Sequence, residues 1–312
     1  MFTGFVNIPG FSTWKEIVLL NLGFGNDKKY YIEDEFNNKM LLRVSPIQLY
    51  QEKKQQALAI QQLNNKAVSN IPKLLSFGTC NNNKSVYLLL DWIEGSPFDQ
   101  VIERLEFDDI YTLGIKTGKL LKEIHAIPAN DTRGVSVQTI KTSKTFELIY
   151  YENSEQRLEN DQPIIEFIKN NLFYYENSPI TYIHNDFYQD KMIFKDNELY
   201  IIDFDRLTIS EPYEDFCKLE LFDTSFNHIF TTGVLIGYFD GQPPTAFWNI
   251  HALNIAHNIL TLQNWAVNFK STFRHKVKLI GYKSIDYYNC FNSMIPKWYQ
   301  QNINVLKEDG KI

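Results

Sequence analysis

The sequence predicts an α+β fold of two lobes, a small antiparallel-sheet lobe over residues 1–94 and a larger, mainly helical lobe over residues 95–312. Three observations predict it. Short apolar runs separated by turn residues fill the chain up to Leu90. From Asp108 onward apolar positions recur at helical spacing. Between the two lies Asp91-Trp92-Ile93-Glu94-Gly95, a linker at which the charge balance changes sign: residues 1–94 hold 10 Lys and Arg against 8 Asp and Glu, and residues 95–312 hold 21 against 29.

In the first lobe a strand over Ile17 to Leu22 is followed by Gly23-Phe24-Gly25 and a second strand from Tyr30 to Glu33. Gly23 and Gly25 can bring backbone N–H groups against a phosphate, because glycine lacks the side chain that would block the approach; an ordinary hairpin turn explains them equally well. A third strand, Lys39 to Val44, carries Arg43 inside an apolar run. Arg43 is either a cation that reaches nucleotide phosphates or an arginine on the solvent face of a half-exposed strand. A helix is expected from Pro46 to Leu63, with Ile47, Leu58 and Leu63 as scattered apolar positions among good helix formers, then strands over Lys73 to Phe77 and Val86 to Leu90.

In the second lobe, Asp108 and Asp109 open a long helix to about Ile127, with Ile110, Leu113, Leu120, Leu121 and Ile124 on one face. Gly114 and Gly118, four apart, allow close helix packing. His125 at its end reads first as a core or capping histidine and second as a catalytic one. Helices are also expected near Phe146 to Tyr151 and Ile164 to Tyr175, and beyond Asp215 from Phe216 to Phe230, Pro244 to Phe269 and Ser284 to Val305.

The chemistry is concentrated in Tyr182 to Arg206. A polar loop with His184, Asn185 and Asp186 precedes a hairpin, Met192 to Phe194 and Leu199 to Ile202, that ends on Asp203. One acid before a hairpin and another at its exit suit phosphoryl transfer: one orients and deprotonates a hydroxyl, and the other holds the magnesium that bridges nucleotide phosphates.

Composition narrows the partners. The net charge of −6, with the acidic excess in the second lobe, disfavours nucleic acid and leans toward a cationic small-molecule substrate. Cys80, Cys217 and Cys290 form no C-x-x-C pair, so neither a zinc site nor a disulfide framework is indicated, and a reduced, cytoplasmic setting is expected. No signal peptide and no apolar run near 20 residues is seen, so no membrane partner is expected.

The order of these elements is that of a two-lobed kinase. The chain resembles the aminoglycoside phosphotransferase and choline kinase family over roughly residues 15 to 300. The family pattern H-G-D-x-x-x-x-N followed by I-D-[FW] is matched by His184-Asn185-Asp186 and Ile202-Asp203-Phe204, and its G-D-P-x-x-D turn by Ser210-Glu211-Pro212-Tyr213-Glu214-Asp215. The resemblance implies that Asp186 is the catalytic base, Asp203 the magnesium ligand, His184 a brace for the loop and Asp215 a structural acid holding it. It further implies that the base of ATP or GTP pairs with backbone groups of Asp91 and Ile93, and that Arg43 is the basic residue of the third strand. The implied acceptor is a hydroxyl of a small molecule, an aminoglycoside or another amino-bearing alcohol first. Two positions depart from the pattern. Lys191 stands where the family has a metal-binding Asn; it cannot ligate a cation but can neutralise phosphate charge. Gln56 stands where a Glu pairs with the basic residue of the third strand, and Glu52 lies one turn earlier. These departures keep open an alternative, a kinase-fold protein that binds a nucleotide or small ligand with little catalysis.

Overall fold

The computed structural model describes residues 3–20, 27–129 and 134–312. In chain order the strands are β1 (Trp14–Leu20), β2 (Lys28–Asp34), β3 (Lys39–Pro46), β4 (Leu74–Cys80), β5 (Ser85–Asp91), β6 (Ser96–Pro97), β7 (Thr181–Ile183), β8 (Met192–Lys195), β9 (Glu198–Ile201) and β10 (Thr208–Ser210). The helices are α1 (Tyr50–Asn65), α2 (Phe98–Val101), α3 (Phe107–His125), α4 (Val137–Glu152), α5 (Gln162–Asn171), α6 (Asp215–Phe222), α7 (Ile229–Phe239), α8 (Thr245–Ala266), α9 (Ser271–Tyr287) and α10 (Lys297–Glu308). They form two compact units, Met1–Ser96 with Met192–Asp205, and Pro97–Lys191 with Arg206–Ile312. The hairpin β8–β9, downstream of the boundary expected at residues 94 and 95, thus joins the first unit.

The first unit is built on a five-stranded antiparallel sheet in the order β1-β2-β3-β5-β4. Alternation along the strands gives it two faces. Tyr30, Ile32, Met40, Leu42, Tyr87 and Leu89 pack with Phe5 and Ile8 in one core. The opposite face carries Arg43, which is 2% exposed, so the solvent-face alternative for this residue does not hold. Helix α1 buries polar as well as apolar side chains. Lys53 and Gln56 point inward with Ala57, Ala59, Ile60 and Leu63, while Leu58 is exposed. Its two buried polar side chains are held by polar partners of the unit, which an apolar-period argument does not register. The hairpin β8–β9 is tied to this unit by the amide of Ile201, which donates to the Asn70 carbonyl at 2.9 Å, and by Asn70 Nδ2, which donates to the Leu199 carbonyl at 3.1 Å. Gly95 has φ +147°, and a Cβ there would stand 2.5 Å from the Phe194 carbonyl oxygen, so only glycine lets this backbone lie against β8.

The second unit is mostly helical. Helix α3 buries the predicted face, and Gly114 and Gly118 do bring it against a neighbour, α7. A Cβ at Gly118 would lie 2.1 Å from the Val234 carbonyl oxygen, and one at Gly237 would lie 2.0 Å from that of Ile115. Helix α8 is buried nearly all round, as a central core helix is. Two long helices expected from sequence are each broken. The span from Phe216 to Phe230 stops at Asp223, whose carboxylate accepts from the amides of Ser225 (2.7 Å) and Thr231 (3.0 Å) and so caps the start of α7. The span from Ser284 to Val305 is interrupted by left-handed Asn289, Cys290 and Phe291 and resumes after Pro296 as α10.

Candidate active-site residues

In the first unit the inward face of the sheet gathers charge. Lys29 of β2 is the cross-strand partner of Arg43 of β3, and two cations side by side on a sheet repel unless anions meet them. Here three carboxylates do. Lys29 Nζ is 3.2 Å from Asp203 Oδ1 and 3.5 Å from Asp205 Oδ2. The Arg43 guanidinium pairs with Asp27 and Asp205, and its Nη1 lies 3.8 Å from Asp203. Lys53 of α1 reaches Asp27 Oδ2 at 2.9 Å, and Ser45 Oγ donates to Asp27 Oδ1 at 2.6 Å. Burial pushes the Asp27 carboxyl up, but Arg43, Ser45 and Lys53 outweigh it and hold the group below its ordinary range. Buried ions are tolerable only when each is paired, and every charge of this network has an opposite charge beside it, although Arg43 Nε is buried without a hydrogen bond.

Gln56 does not serve as the partner of Arg43 at the position where the resemblance would put one. Its Nε2 donates to the Asp205 carbonyl at 2.6 Å and lies 3.3 Å from Glu52 Oε1, and its own Oε1 is buried without a hydrogen bond. The counter-charge for Arg43 comes from Asp27 and Asp205 instead. Asp203 follows β9 with φ +66°, a conformation that Asp tolerates better than most side chains. Gly23 and Gly25 lie outside the described residues. Asp91 ends β5; its N–H donates to the Lys73 carbonyl at 3.0 Å and its carboxylate accepts from the Lys73 amide at 2.5 Å. The Asp91 N–H is therefore committed to the sheet, and burial pushes its carboxyl up. Ile93 follows in the half-buried linker.

In the second unit the loop after β7 is pinned from beneath. The buried Asp215, first residue of α6, accepts the amides of His184 (2.8 Å) and Asn185 (2.6 Å). Its Oδ2 also lies 3.0 Å from His125 Nε2, and His125 Nδ1 lies 2.9 Å from the Tyr238 hydroxyl. Both ring nitrogens of His125 therefore have polar partners. His125 is thus a core histidine, in line with the first of its two sequence readings. His184 is fully buried, and its Nδ1 accepts the amide of Asp186 at 3.3 Å. Asn185 takes φ +60°, which turns the chain so that the Asp186 side chain, 17% exposed, leaves the loop.

Two lysines meet the Asp186 carboxylate. Lys191, as noted from sequence, lies 3.9 Å from Oδ2 and is also paired with Asp190 at 2.8 Å. Lys218, which sequence reasoning missed, donates to Asp186 Oδ1 at 2.6 Å and to the Asn185 carbonyl at 3.1 Å. The signal for it was present: Lys218 is three residues after Asp215 on α6, a spacing that places both on one side of the helix. Lys29 falls before the expected start of β2, and Asp27 and Lys53 carry no comparable pattern. Among the described residues no group of three or more His, Cys, Asp or Glu is gathered as a metal site, and no helix is long and apolar enough to cross a membrane.

Comparison with known proteins agrees with this architecture. The profile of one family, the phosphotransferase enzyme family, matches residues 16–248. Among solved structures, the chain is similar to an aminoglycoside 2'-phosphotransferase-IIIa in complex with GDP (TM-score 0.63, 16% identity, covering 90% of this chain and 96% of that one). It is similar to the aminoglycoside phosphotransferase APH(2'')-Ib with ADP bound (TM-score 0.61, 17% identity, 92% and 95%). It is also similar to the macrolide 2'-phosphotransferase MphH from Brachybacterium faecium (TM-score 0.54, 13% identity, 85% and 90%). These likenesses establish the kinase-like fold. No curated protein matches the chain.

Proposed function

The chain belongs to the phosphotransferase enzyme family, and on that premise we propose that it transfers the terminal phosphoryl group of ATP or GTP to a hydroxyl of a small molecule, with an aminoglycoside-like, amino-bearing acceptor favoured. What carries the reading is the pinned loop of the second unit. A general base needs a fixed direction and access to the proton it takes. The Asp186 carboxylate has both, because Asp215 holds the two preceding amides while the side chain stays partly exposed.

In this reading Asp186 orients and deprotonates the acceptor hydroxyl, and His184 keeps the loop in shape through the Asp186 amide. Lys191 and Lys218 lie against the carboxylate and would meet negative charge as it develops. Magnesium fits the donors of the first unit. Asp203 and Asp205 supply hard carboxylate oxygens, each 20% exposed, the donor type of an ion that takes one or two protein carboxylates and completes its shell with water and phosphate oxygens. Asp203 would hold it, and the ion would neutralise the phosphates of the bound nucleotide. The nucleotide base would pair with the linker at Asp91 and Ile93; since the Asp91 N–H is used by Lys73, Asp91 would contribute its carbonyl. The acidic excess of the second lobe supports a cationic acceptor, and the unpaired cysteines a cytoplasmic setting.

A second reading has its own observation. Two ammonium groups on Asp186, with Lys191 in place of the family Asn, also suit a protein that binds nucleotide without efficient turnover. One experiment separates the two: magnesium-dependent nucleotide turnover against a panel of aminoglycosides, macrolides, choline and amino sugars, with wild type and Asp186→Ala. Turnover stimulated by one acceptor and lost in the variant establishes the kinase and its substrate class. Nucleotide binding with no stimulated turnover, in wild type and in Lys191→Asn alike, overturns it in favour of the binding protein.

A further inference from the structure

The two cations that face each other across β2 and β3 are held very differently. The Arg43 guanidinium is 2% exposed and has one arm on Asp27 and the other on Asp205, and Asp27 is itself fixed by Lys53 and Ser45. Turning Arg43 toward any ligand would strip the buried Asp27 carboxylate of a partner, and breaking a buried pair is strongly unfavourable. Lys29 is the more accessible of the two, with 12% of its side chain exposed. Its contacts to Asp203 and Asp205 are longer, at 3.2 and 3.5 Å, and both acids are themselves partly exposed. An ammonium on a four-carbon stem, with three rotatable donors, can leave such contacts for a stronger anion at little cost.

Resting on the phosphotransferase reading above, we infer that Lys29 of β2, rather than Arg43 of β3, is the cation that contacts the nucleotide phosphates, and that Arg43 is a positioning residue locked into the Asp27, Lys53 and Asp205 network. The charge pattern of the unit then has a purpose. Three cations and three carboxylates balance one another, and a phosphate chain that draws Lys29 away releases the Asp203 carboxylate from its ammonium, the state in which an acid can take a divalent ion. On this view the sheet stores its phosphate-binding cation against the acid that the metal needs.

The test is calorimetric binding of ATP and, separately, of adenosine, to wild type, Lys29→Met and Lys29→Arg, with thermal unfolding of each protein as a check on the fold. A charge-assisted contact of ordinary strength predicts that Lys29→Met weakens ATP binding roughly tenfold to a hundredfold. Adenosine binding should be unchanged, because it carries no phosphate, and Lys29→Arg should stay within a few-fold of wild type. ATP affinity retained in Lys29→Met overturns the inference, as does an equal loss for ATP and adenosine, which would mark a general disturbance of the site. Were Lys29→Met to unfold, Lys29→Gln, with its shorter neutral chain, gives the same readout. Failure of the phosphotransferase reading looks different: wild type would show no acceptor-stimulated nucleotide turnover, whether or not Lys29→Met weakens ATP binding.

Discussion

Replacing Asp215 by Asn changes one oxygen into an amide nitrogen and tests whether the loop is held from beneath. The carboxylate takes three donors: the amide of His184 at 2.8 Å and His125 Nε2 at 3.0 Å on Oδ2, and the amide of Asn185 at 2.6 Å on Oδ1. Asn keeps one acceptor. If that oxygen stays on the side of Oδ2, the amide of Asn185 faces an NH2 group, donor against donor, and the two surviving bonds lose their charge assistance. Hydrogen bonds to charged groups contribute about 1.5–3 kcal/mol each, so losing one outright and weakening two predicts a destabilisation of roughly 2–4 kcal/mol. Urea unfolding should report it as a lower midpoint at unchanged slope. Amide hydrogen exchange should show lost protection at His184 and Asn185 in particular. A midpoint within about 0.5 kcal/mol of wild type, the usual range of a surface substitution, together with unchanged exchange at those two amides would refute the argument.

Two further outcomes concern stability. Glu211 is fully buried beside Glu214 and Lys144, accepting Tyr213 N–H and Asn254 Nδ2, and burial pushes its carboxyl up to about 8 from an ordinary 4.5. A group raised in the folded state binds an extra proton there between those two values, so its stabilisation is present below the unfolded value and is lost as the pH rises through about 8. Glu211→Gln, which does not titrate, should therefore gain in melting temperature relative to wild type between pH 5 and pH 8; a constant difference across that range counts against the burial argument. Gly95→Ala would place a methyl group 2.5 Å from the Phe194 carbonyl oxygen at φ +147° and should cost more than about 2 kcal/mol by thermal unfolding. A neutral result would mean that the linker backbone moves off β8 without penalty.

How much of this was legible in the sequence differs from element to element. Helix α3 declared itself because one face is apolar at the right period, and β3 and β5 stood out as apolar runs, whereas β1 alternates poorly and Lys29 fell before the expected start of β2. Helix α1 was legible as a helix but not in its partners: Gln56 was placed opposite Arg43 and Lys53 went unnoticed, because the carbonyl and the acid that satisfy them come from distant parts of the chain. Helix α8 was legible as a helical span from Pro244 to Phe269, but without a polar face its sequence did not say which side meets which neighbour. The breaks at Asp223 and after Tyr287 depend on side-chain caps and left-handed backbone that look like ordinary Asp, Asn and Cys in the sequence. Among the candidate residues, the positions of Asp186 and Asp203 followed from their place before and after a hairpin. The hold of His125 on Asp215 joins residues 90 apart, and no local pattern encodes it.

The bare meeting of α3 and α7 makes the chemistry of the loop depend on a clearance. His125 is the last residue of α3, and Tyr238 is one residue from the end of α7; the bond between them exists because Gly114, Gly118, Gly233 and Gly237 let the two backbones touch. A single methyl group at Gly118 would act as a shim. It would part the helices at their crossing, draw the Tyr238 hydroxyl away from the imidazole, and leave His125 free to turn off Asp215. Random mutagenesis screened for lost fold stability should therefore collect substitutions at these four glycines, positions with no titratable atom and no contact with Asp186, whose whole contribution is to occupy no space.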